Sequence, residues 1–185
     1  MGKKLSEMTL DELWQLFPIF LTEPNPAWET WYREEKEHLL KFLPEKAILS
    51  IHHIGSTAIS GIWAKPIIDI LLETNDDNLL KDEIKSAGYI LMSENQNRLS
   101  FNKGYTENGF AERVFHLHVR KKGDNAELYF RDFLNAHPDK AKEYEKLKLS
   151  LWKKYEHDRD GYTDQKFAMV TKFTNLAKQE FPGRY

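Results

Sequence analysis

The sequence predicts a protein of the α/β (α+β) class. Its mixed β-sheet should be flanked by helices and followed by a C-terminal layer of helices. Residues 66–73 form a near-continuous apolar run, which is typical of a buried central strand. Residues 113–120 alternate between two sets of side chains, as a half-buried strand does. After Gly123 the apolar spacing becomes helical and stays so. These three patterns predict helices packed on one sheet.

The length and apolar content predict the domain organisation. The chain has 185 residues, of which 41% are hydrophobic, and this is enough to bury a core in one domain. We expect a single domain over residues 1–185. Within it, residues 1–46 should form N-terminal helices, residues 47–122 the sheet core, and residues 123–185 the helical layer.

Charge and composition limit the ligands, the chemistry and the cellular compartment that we expect for this protein. The formal net charge is −2, so no overall field attracts nucleic acid or a membrane surface. Acidic residues outnumber basic ones in residues 1–112, and the balance reverses in residues 113–185. The basic half could attract phosphate-bearing ligands, and the alternative is that its charges lie on solvated helix faces. Cysteine is absent, which excludes disulfides and thiolate chemistry. No apolar stretch approaches the ~20 residues of a membrane span, so we expect a cytoplasmic protein.

The N-terminal region contains two predicted helices. Thr9 and Glu12 have the spacing of a capping box, which predicts a short helix that ends near Phe17. Prolines then interrupt the chain. Residues 26–43 place their large apolar side chains on one helical face, and Pro44 ends this second helix.

The middle of the chain contains the predicted strands. Turn residues separate short apolar or alternating segments there, which is the pattern of a sheet with helical connections. We predict strands at 47–53, 66–73, 89–93, 98–103 and 113–120, a short helical connection at 57–64, a turn at Asn75–Asn78 and a helix at 79–87.

The C-terminal region is predicted to be helical throughout. His137-Pro138 separates a helix over 126–136 from a longer one over 138–155. Residues 158–161 are predicted as a loop, after which Thr163 caps a last helix that ends near residue 179.

A tight Gly-Ser turn followed by a strand with one acid is the most informative motif. Segment His52–Thr57 is interpreted as the end of a strand and a turn, whose free backbone N–H groups can bind an anion. Asp69 lies alone among apolar residues of the next strand, where a buried carboxylate needs a cation or a metal. We predict phosphate binding at Gly55 and Ser56 and a catalytic carboxylate at Asp69. The alternative is a structural aspartate that caps a loop.

The strand that carries Asp69 has only part of a two-metal centre. Alternate residues share a face, and two Mg²⁺ ions would need several carboxylate oxygens on that face. Leu71 cannot bind a metal, and Glu73 lies two steps of ~7 Å along the strand, beyond the reach of one ion. We therefore expect Asp69 to work without its usual partner.

His116 and His118 are the candidate metal ligands on another strand. They lie two residues apart and point the same way, as a pair of Zn²⁺ or Mn²⁺ ligands would. They could equally bind phosphate as imidazolium ions, or be ordinary surface histidines of a strand. A histidine-triad hydrolase would continue to a third histidine, whereas this sequence has Arg120.

Three lysines are candidate phosphate ligands. Lys148 and Lys166 each fall on the apolar stripe of a predicted helix, and Lys65 precedes Pro66 at the start of a strand. A lysine on an inward stripe either extends along the core to solvent or reaches an anionic partner. The second interpretation places Lys65, Lys148 and Lys166 around a phosphate pocket.

The chain resembles the GrpB family. The run HHIGSTAISGIWAKPIIDILL at residues 52–72 closely resembles the signature of that family, and several further blocks occur in the same order. These blocks are Asn25-Pro26-Ala27-Trp28, Phe115-His116-Leu117-His118-Val119, Phe130-Arg131-Asp132-Phe133-Leu134, Ala136-His137-Pro138, Tyr144, Leu147-Lys148 and Tyr162-Thr163-Asp164-Gln165-Lys166.

This resemblance implies a nucleotidyltransferase-like fold. In that superfamily a Gly-Ser pair binds nucleotide phosphates, and acids on two strands hold Mg²⁺. Gly55 and Ser56 match the phosphate turn and Asp69 matches the first acid, but Leu71 replaces the second. His116 or His118 is expected near the position of the third acid.

The sequence thus favours a protein that binds a nucleotide or a phosphorylated small molecule. A nucleotidyl or phosphoryl transferase with an atypical metal site is the first hypothesis, and its metal would be Mg²⁺, Mn²⁺ or Zn²⁺ bound by Asp69, His116 and His118. A metal-dependent hydrolase built on the same three residues is the second. A non-catalytic module that binds nucleotide or RNA is the third, although nothing in the sequence specifically supports nucleic acid.

Overall fold

The protein is described from a computed structural model, which covers residues 3–77 and 79–185. Met1, Gly2 and Asn78 lie outside the described residues, so the predicted turn at Asn75–Asn78 is followed only in part. The α+β class is confirmed, with one mixed five-stranded sheet and helices packed on it.

Within the described residues, two α-helices precede the sheet, as predicted. Helix α1 spans Leu10–Leu16, and its capping box forms: Thr9 N donates to Glu12 at 2.6 Å and Thr9 Oγ1 accepts from Glu12 N at 3.3 Å. Helix α2 spans Ala27–Leu40 and ends three residues before the predicted end.

The five strands are β1 at Ser50–Ile54, β2 at Ile67–Thr74, β3 at Ile90–Asn95, β4 at Arg98–Thr106 and β5 at Gly109–Lys121. Their order in the sheet is β1-β2-β5-β4-β3. Strand β2 lies antiparallel to β1 and parallel to β5, while β4 lies antiparallel to both β5 and β3. Helix α3 (Lys81–Ser86) connects β2 to β3.

Three predictions about the middle of the chain need correction. The first strand begins at Ser50 rather than at residue 47, because Glu45–Ala47 forms a 3-10 turn. The predicted helix over 57–64 is only a 3-10 turn at Ser56–Ala58. Strand β5 is longer than predicted, since β4 and β5 form a hairpin that starts with Thr106 opposite Gly109.

Three helices follow the sheet, and the last one begins earlier than predicted. They are α4 at Ala126–Ala136, α5 at Pro138–Trp152 and α6 at Arg159–Glu180. Asp158 caps α6 by accepting a hydrogen bond from Gly161 N at 2.8 Å, so the predicted loop at 158–161 and the cap at Thr163 are wrong. The earlier start brings Arg159 into the first turn of the helix.

The two faces of the sheet have different roles. One face carries apolar side chains that pack with α2 and α3 in the largest core cluster. On the other face, Asp69, His116 and Asn102 lie side by side in the register of β2, β5 and β4. Within residues 3–77 and 79–185, no helix is both long and apolar enough to cross a membrane.

Candidate functional site

The Gly-Ser turn is held against strand β2 by a short hydrogen-bond chain. Thr57 Oγ1 donates to Ile67 O at 3.1 Å and therefore accepts from His53 Nε2 at 2.9 Å. Gly55 has φ +72°, and its backbone lies directly beside Asp69. A Cβ atom at residue 55 would overlap Oδ2 of Asp69 and lie 3.0 Å from its Cβ and Cγ. Glycine is thus required for this close approach.

Asp69 is joined to both candidate histidines. Its Oδ1 lies 3.3 Å from Nδ1 of His116 and 3.2 Å from Nε2 of His118. One ligand atom from each residue falls within a cluster 4.8 Å across, as a shared metal ion would require. The Asp69 side chain keeps 27% of its surface exposed, so an ion or a ligand can reach it.

The second ring nitrogen of each histidine has its own partner, and for His118 that partner fixes the tautomer. Nε2 of His116 lies 2.8 Å from the Tyr105 hydroxyl, and Nδ1 of His118 lies 3.3 Å from Nη2 of Arg120. A guanidinium can only donate, so Nδ1 of His118 accepts and its Nε2–H donates to Asp69. Burial raises the pKa of Asp69, but the hydrogen bonds from the two histidines outweigh it and hold that pKa well below its usual range. Burial lowers the pKa of His116, which keeps its ring neutral.

Four cationic side chains surround this carboxylate. Burial, and then the neighbouring cations, lowers the pKa of Lys65 and of Lys148 to about 7. Burial and Arg159 lower the pKa of Lys166 to about 8. Lys148 is only 2% exposed, and its Nζ donates to the carbonyl of Trp63. Buried cations that depress one another's pKa form a site prepared for an anion.

The residues named from the sequence come together in one cavity of about 240 Å³. The cavity lies between the sheet face and helices α5 and α6. All eight residues proposed for phosphate or metal binding contribute to its wall. They are Gly55, Ser56, Lys65, Asp69, His116, His118, Lys148 and Lys166.

Sequence reasoning missed several contributors to this site, among them Arg159, Thr163 and Tyr105. Arg159 and Thr163 line the cavity, and Tyr105 reaches it through His116. The predicted loop contains Arg159 because the prediction caps the helix at Thr163, whereas Asp158 caps it in the structure. The capping signal at Asp158 could have shown that Arg159 lies in the first helical turn. The contact of Tyr105 with His116 depends on the register of the β4–β5 hairpin, which the sequence does not define.

At the two positions of β2 where further acids are expected, the residues pack or form hydrogen bonds within the fold. Leu71 is fully buried and packs with Ile54 and Leu128. Glu73 accepts hydrogen bonds from Ser50 Oγ at 2.6 Å and from Gly123 N at 2.8 Å. Neither residue can contribute to a second metal centre beside Asp69.

The donor set fits a metal ion only in part. A ligating histidine normally donates its other N–H to an acceptor. The Tyr105 hydroxyl can accept from His116, but Arg120 cannot accept from His118. Asp69 and His116 therefore fit a metal, and Arg120 opposes ligation by His118.

Replacing Arg120 with glutamine is expected to strengthen metal binding by roughly 10- to 100-fold, the usual effect of a residue that hydrogen-bonds a ligating histidine. The glutamine carbonyl would accept the Nδ1 proton of His118 and leave its Nε2 free for the ion. Calorimetric titration with Zn²⁺ and Mn²⁺ measures the change. Arg98→Gln is the control, since Arg98 pairs with Asp124 instead. Equal affinities in Arg120→Gln and the unaltered protein would contradict this account of Arg120.

Fold and cavity define the class of protein: a mixed α/β protein with one carboxylate, two imidazoles and four cations in a single cavity. Residues 18–176 match the sequence model described as GrpB protein. The chain therefore belongs to the GrpB family, and the resemblance noted in the sequence is confirmed.

Individual relatives agree with this assignment. The UPF0157 protein YqkA of Bacillus subtilis is 36% identical over 86% of this chain, which spans 47% of that protein's length. The glutamate-rich protein GrpB of Alkalihalophilus pseudofirmus is 36% identical over 85% of this chain and 94% of its own. The crystal structure of GrpB from Enterococcus faecalis is 30% identical, with a TM-score of 0.76 over 88% of this chain and 99% of that one.

Proposed function

We propose that the charged cavity binds the phosphate groups of a nucleotide or another phosphorylated small molecule and supports transfer of a nucleotidyl or phosphoryl group. The observation that carries the proposal is the convergence of Lys65, Lys148, Lys166 and Arg159 on a cavity whose wall holds a single carboxylate. Four cations around one acid leave an excess of positive charge, which a phosphate dianion would neutralise. A small-molecule ligand and a cytoplasmic setting are part of this proposal.

The residues of the cavity suit electrostatic catalysis of phosphoryl chemistry. Transfer of such a group depends mainly on positioning and on neutralising charge at the phosphate oxygens. The lysines and Arg159 would supply most of that charge. Asp69 stays ionised and would orient the acceptor or hold one metal ion together with His116. Such an ion would add charge neutralisation at the phosphate.

A metal-dependent hydrolase is the second candidate. It is favoured by the three ligand atoms of Asp69, His116 and His118, which lie within 4.8 Å of one another. Arg120 weakens this alternative because it occupies the second nitrogen of His118. Hydrolysis of a phosphomonoester that depends on added metal would favour the hydrolase.

A non-catalytic module for nucleotide or RNA is the third candidate. Its support is Leu71, which fills the position of the second acid with a buried apolar side chain. Binding of nucleotide without turnover, with or without metal, would favour this module over both enzymes.

The binding test is calorimetric titration with inorganic phosphate, nucleotides and sugar phosphates, paired with thermal unfolding. A ligand at a hundred times its Kd should stabilise the protein by about 2.7 kcal/mol. If no phosphate-bearing compound binds or stabilises the protein, the proposal is wrong.

The affinity for phosphate in this titration should depend on pH. Lys65 and Lys148, with pKa values of about 7, and Lys166, with about 8, lose their charge as pH rises, so affinity should fall between pH 7 and 9. A bound dianion raises these pKa values, and binding at pH 8 should therefore take up protons. The other charged groups around the lysines are Asp69, Arg159 and, beside Lys148, Glu145. Binding enthalpies measured in two buffers of different ionisation enthalpy should differ, and equal enthalpies would exclude the lysines as ligands.

A further inference from the structure

A second, larger cavity opens on the same side of the sheet as the charged one. Its volume is about 520 Å³, which is in the range of a small-molecule site. Helix α1 and the segment after it form one wall, and strands β3 to β5 form the other. Most of the lining is aliphatic or aromatic, and it includes Leu13, Trp14, Phe17, Ile90, Met92 and Phe110.

The two cavities are neighbours with a shared wall. Lys65, Ile67 and Arg159 line both of them. Tyr105 lines the apolar cavity and bonds through its hydroxyl to His116, which lines the charged one. Two cations thus stand where the apolar cavity meets the charged one. A ligand that entered the apolar cavity would meet positive charge at this end.

Asn102 lies at the same junction. It neighbours His116 across strands β4 and β5 and lines the apolar cavity. The residue is 5% exposed, yet its side-chain amide forms no hydrogen bond within the described part of the chain. The amide atoms are not fully enclosed and keep contact with the cavity, so a polar group of a ligand can reach them and form a hydrogen bond.

We propose that the two cavities bind one amphiphilic ligand, with a phosphate head in the charged cavity and an apolar chain in the second. This inference rests on the proposed function, since the head uses the same lysines. Asn102 would bind the polar link between head and chain. A nucleobase needs hydrogen-bond partners along its edge, whereas this lining offers mainly carbon, so an apolar chain fits better.

A homologous series of alkyl phosphates, from methyl to decyl, tests this inference by calorimetry below the micellar concentration. Each methylene that enters the apolar cavity should strengthen binding by roughly fourfold until the cavity is full. Phe17→Ala should reduce this dependence on chain length and leave methyl phosphate affinity unchanged. Phe17 suits this test because it is only partly buried and contacts Tyr105 and Phe110 at ring distances of 4.7 and 5.0 Å. Leu176→Ala on α6 is the matched control, since Leu176 lines neither cavity.

The outcomes separate this inference from the proposed function. If all alkyl phosphates bind with equal affinity, the apolar cavity takes no part and the inference is overturned, while phosphate binding stands. Decanol that binds as tightly as decyl phosphate would show that the cavities act independently, which also overturns it. Failure of every phosphate to bind would refute the proposed function itself. If nucleotides bind more tightly than decyl phosphate, the apolar cavity holds a nucleobase and the proposal of an alkyl chain is wrong.

Discussion

Replacing Gly55 with alanine is expected to lower the free energy of unfolding by about 2–6 kcal/mol. Gly55 has φ +72° and ψ −173°, a region that is essentially restricted to glycine and costs another residue about 1–3 kcal/mol. The new Cβ would also overlap the Asp69 carboxylate, which adds about 1–3 kcal/mol of overpacking. Relief of this overlap would push Asp69 away from His116 and His118, so ligand binding should be lost as well.

Urea denaturation followed by circular dichroism measures this change. Gly61→Ala is a matched control, because Gly61 has the same φ of +72° and no atom lies within 4 Å of its added Cβ. Gly61→Ala should lower the free energy of unfolding only by the part that comes from backbone strain. The double variant Gly55→Ala/Asp69→Ala should regain much of the unfolding free energy that the overlap with Asp69 removes. Equal destabilisation by Gly55→Ala and Gly61→Ala would show that contact with Asp69 contributes nothing.

The candidate site could be named from the sequence because its residues occupy positions that local patterns define. Asp69 interrupts an apolar strand, His116 and His118 alternate on another, and the Gly-Ser turn follows a third. Strand periodicity determines which side chains share a face. That these faces meet requires only that β2 and β5 be neighbours, as the register shows.

The missing parts of the site depend on contacts that local patterns do not contain. Whether Arg120 faces His118 as a donor is a matter of side-chain packing at the sheet face. The apolar cavity forms because α1 lies opposite strands more than 70 residues away in the sequence, and the sequence of α1 alone does not indicate what it faces. The ends of helices depend on capping contacts that periodicity does not define, as the start of α6 at Arg159 shows.

Replacing Lys148 with methionine is expected to weaken phosphate binding by roughly 10- to 100-fold, the effect of losing one hydrogen bond to a charged group. The same change should leave the free energy of unfolding unchanged or higher. Burial lowers the pKa of Lys148 from 10.5 to about 7, so between these values the unfolded chain binds more protons and the lysine opposes folding. Methionine fills a similar volume without a charge, although it loses the hydrogen bond to Trp63 O.

The opposite signs of these two effects separate a binding role for Lys148 from a structural one. A lysine kept for stability would lower the unfolding free energy when replaced, and the loss of binding would follow from a damaged fold. Lys146→Met provides the matched control, since Lys146 is exposed on the same helix and does not line the cavity. Calorimetric titration with phosphate and urea denaturation at pH 8 measure both quantities for each variant. If Lys148→Met unfolds more easily and still binds phosphate normally, Lys148 is a packing residue and the phosphate site must be redrawn around Lys65 and Lys166.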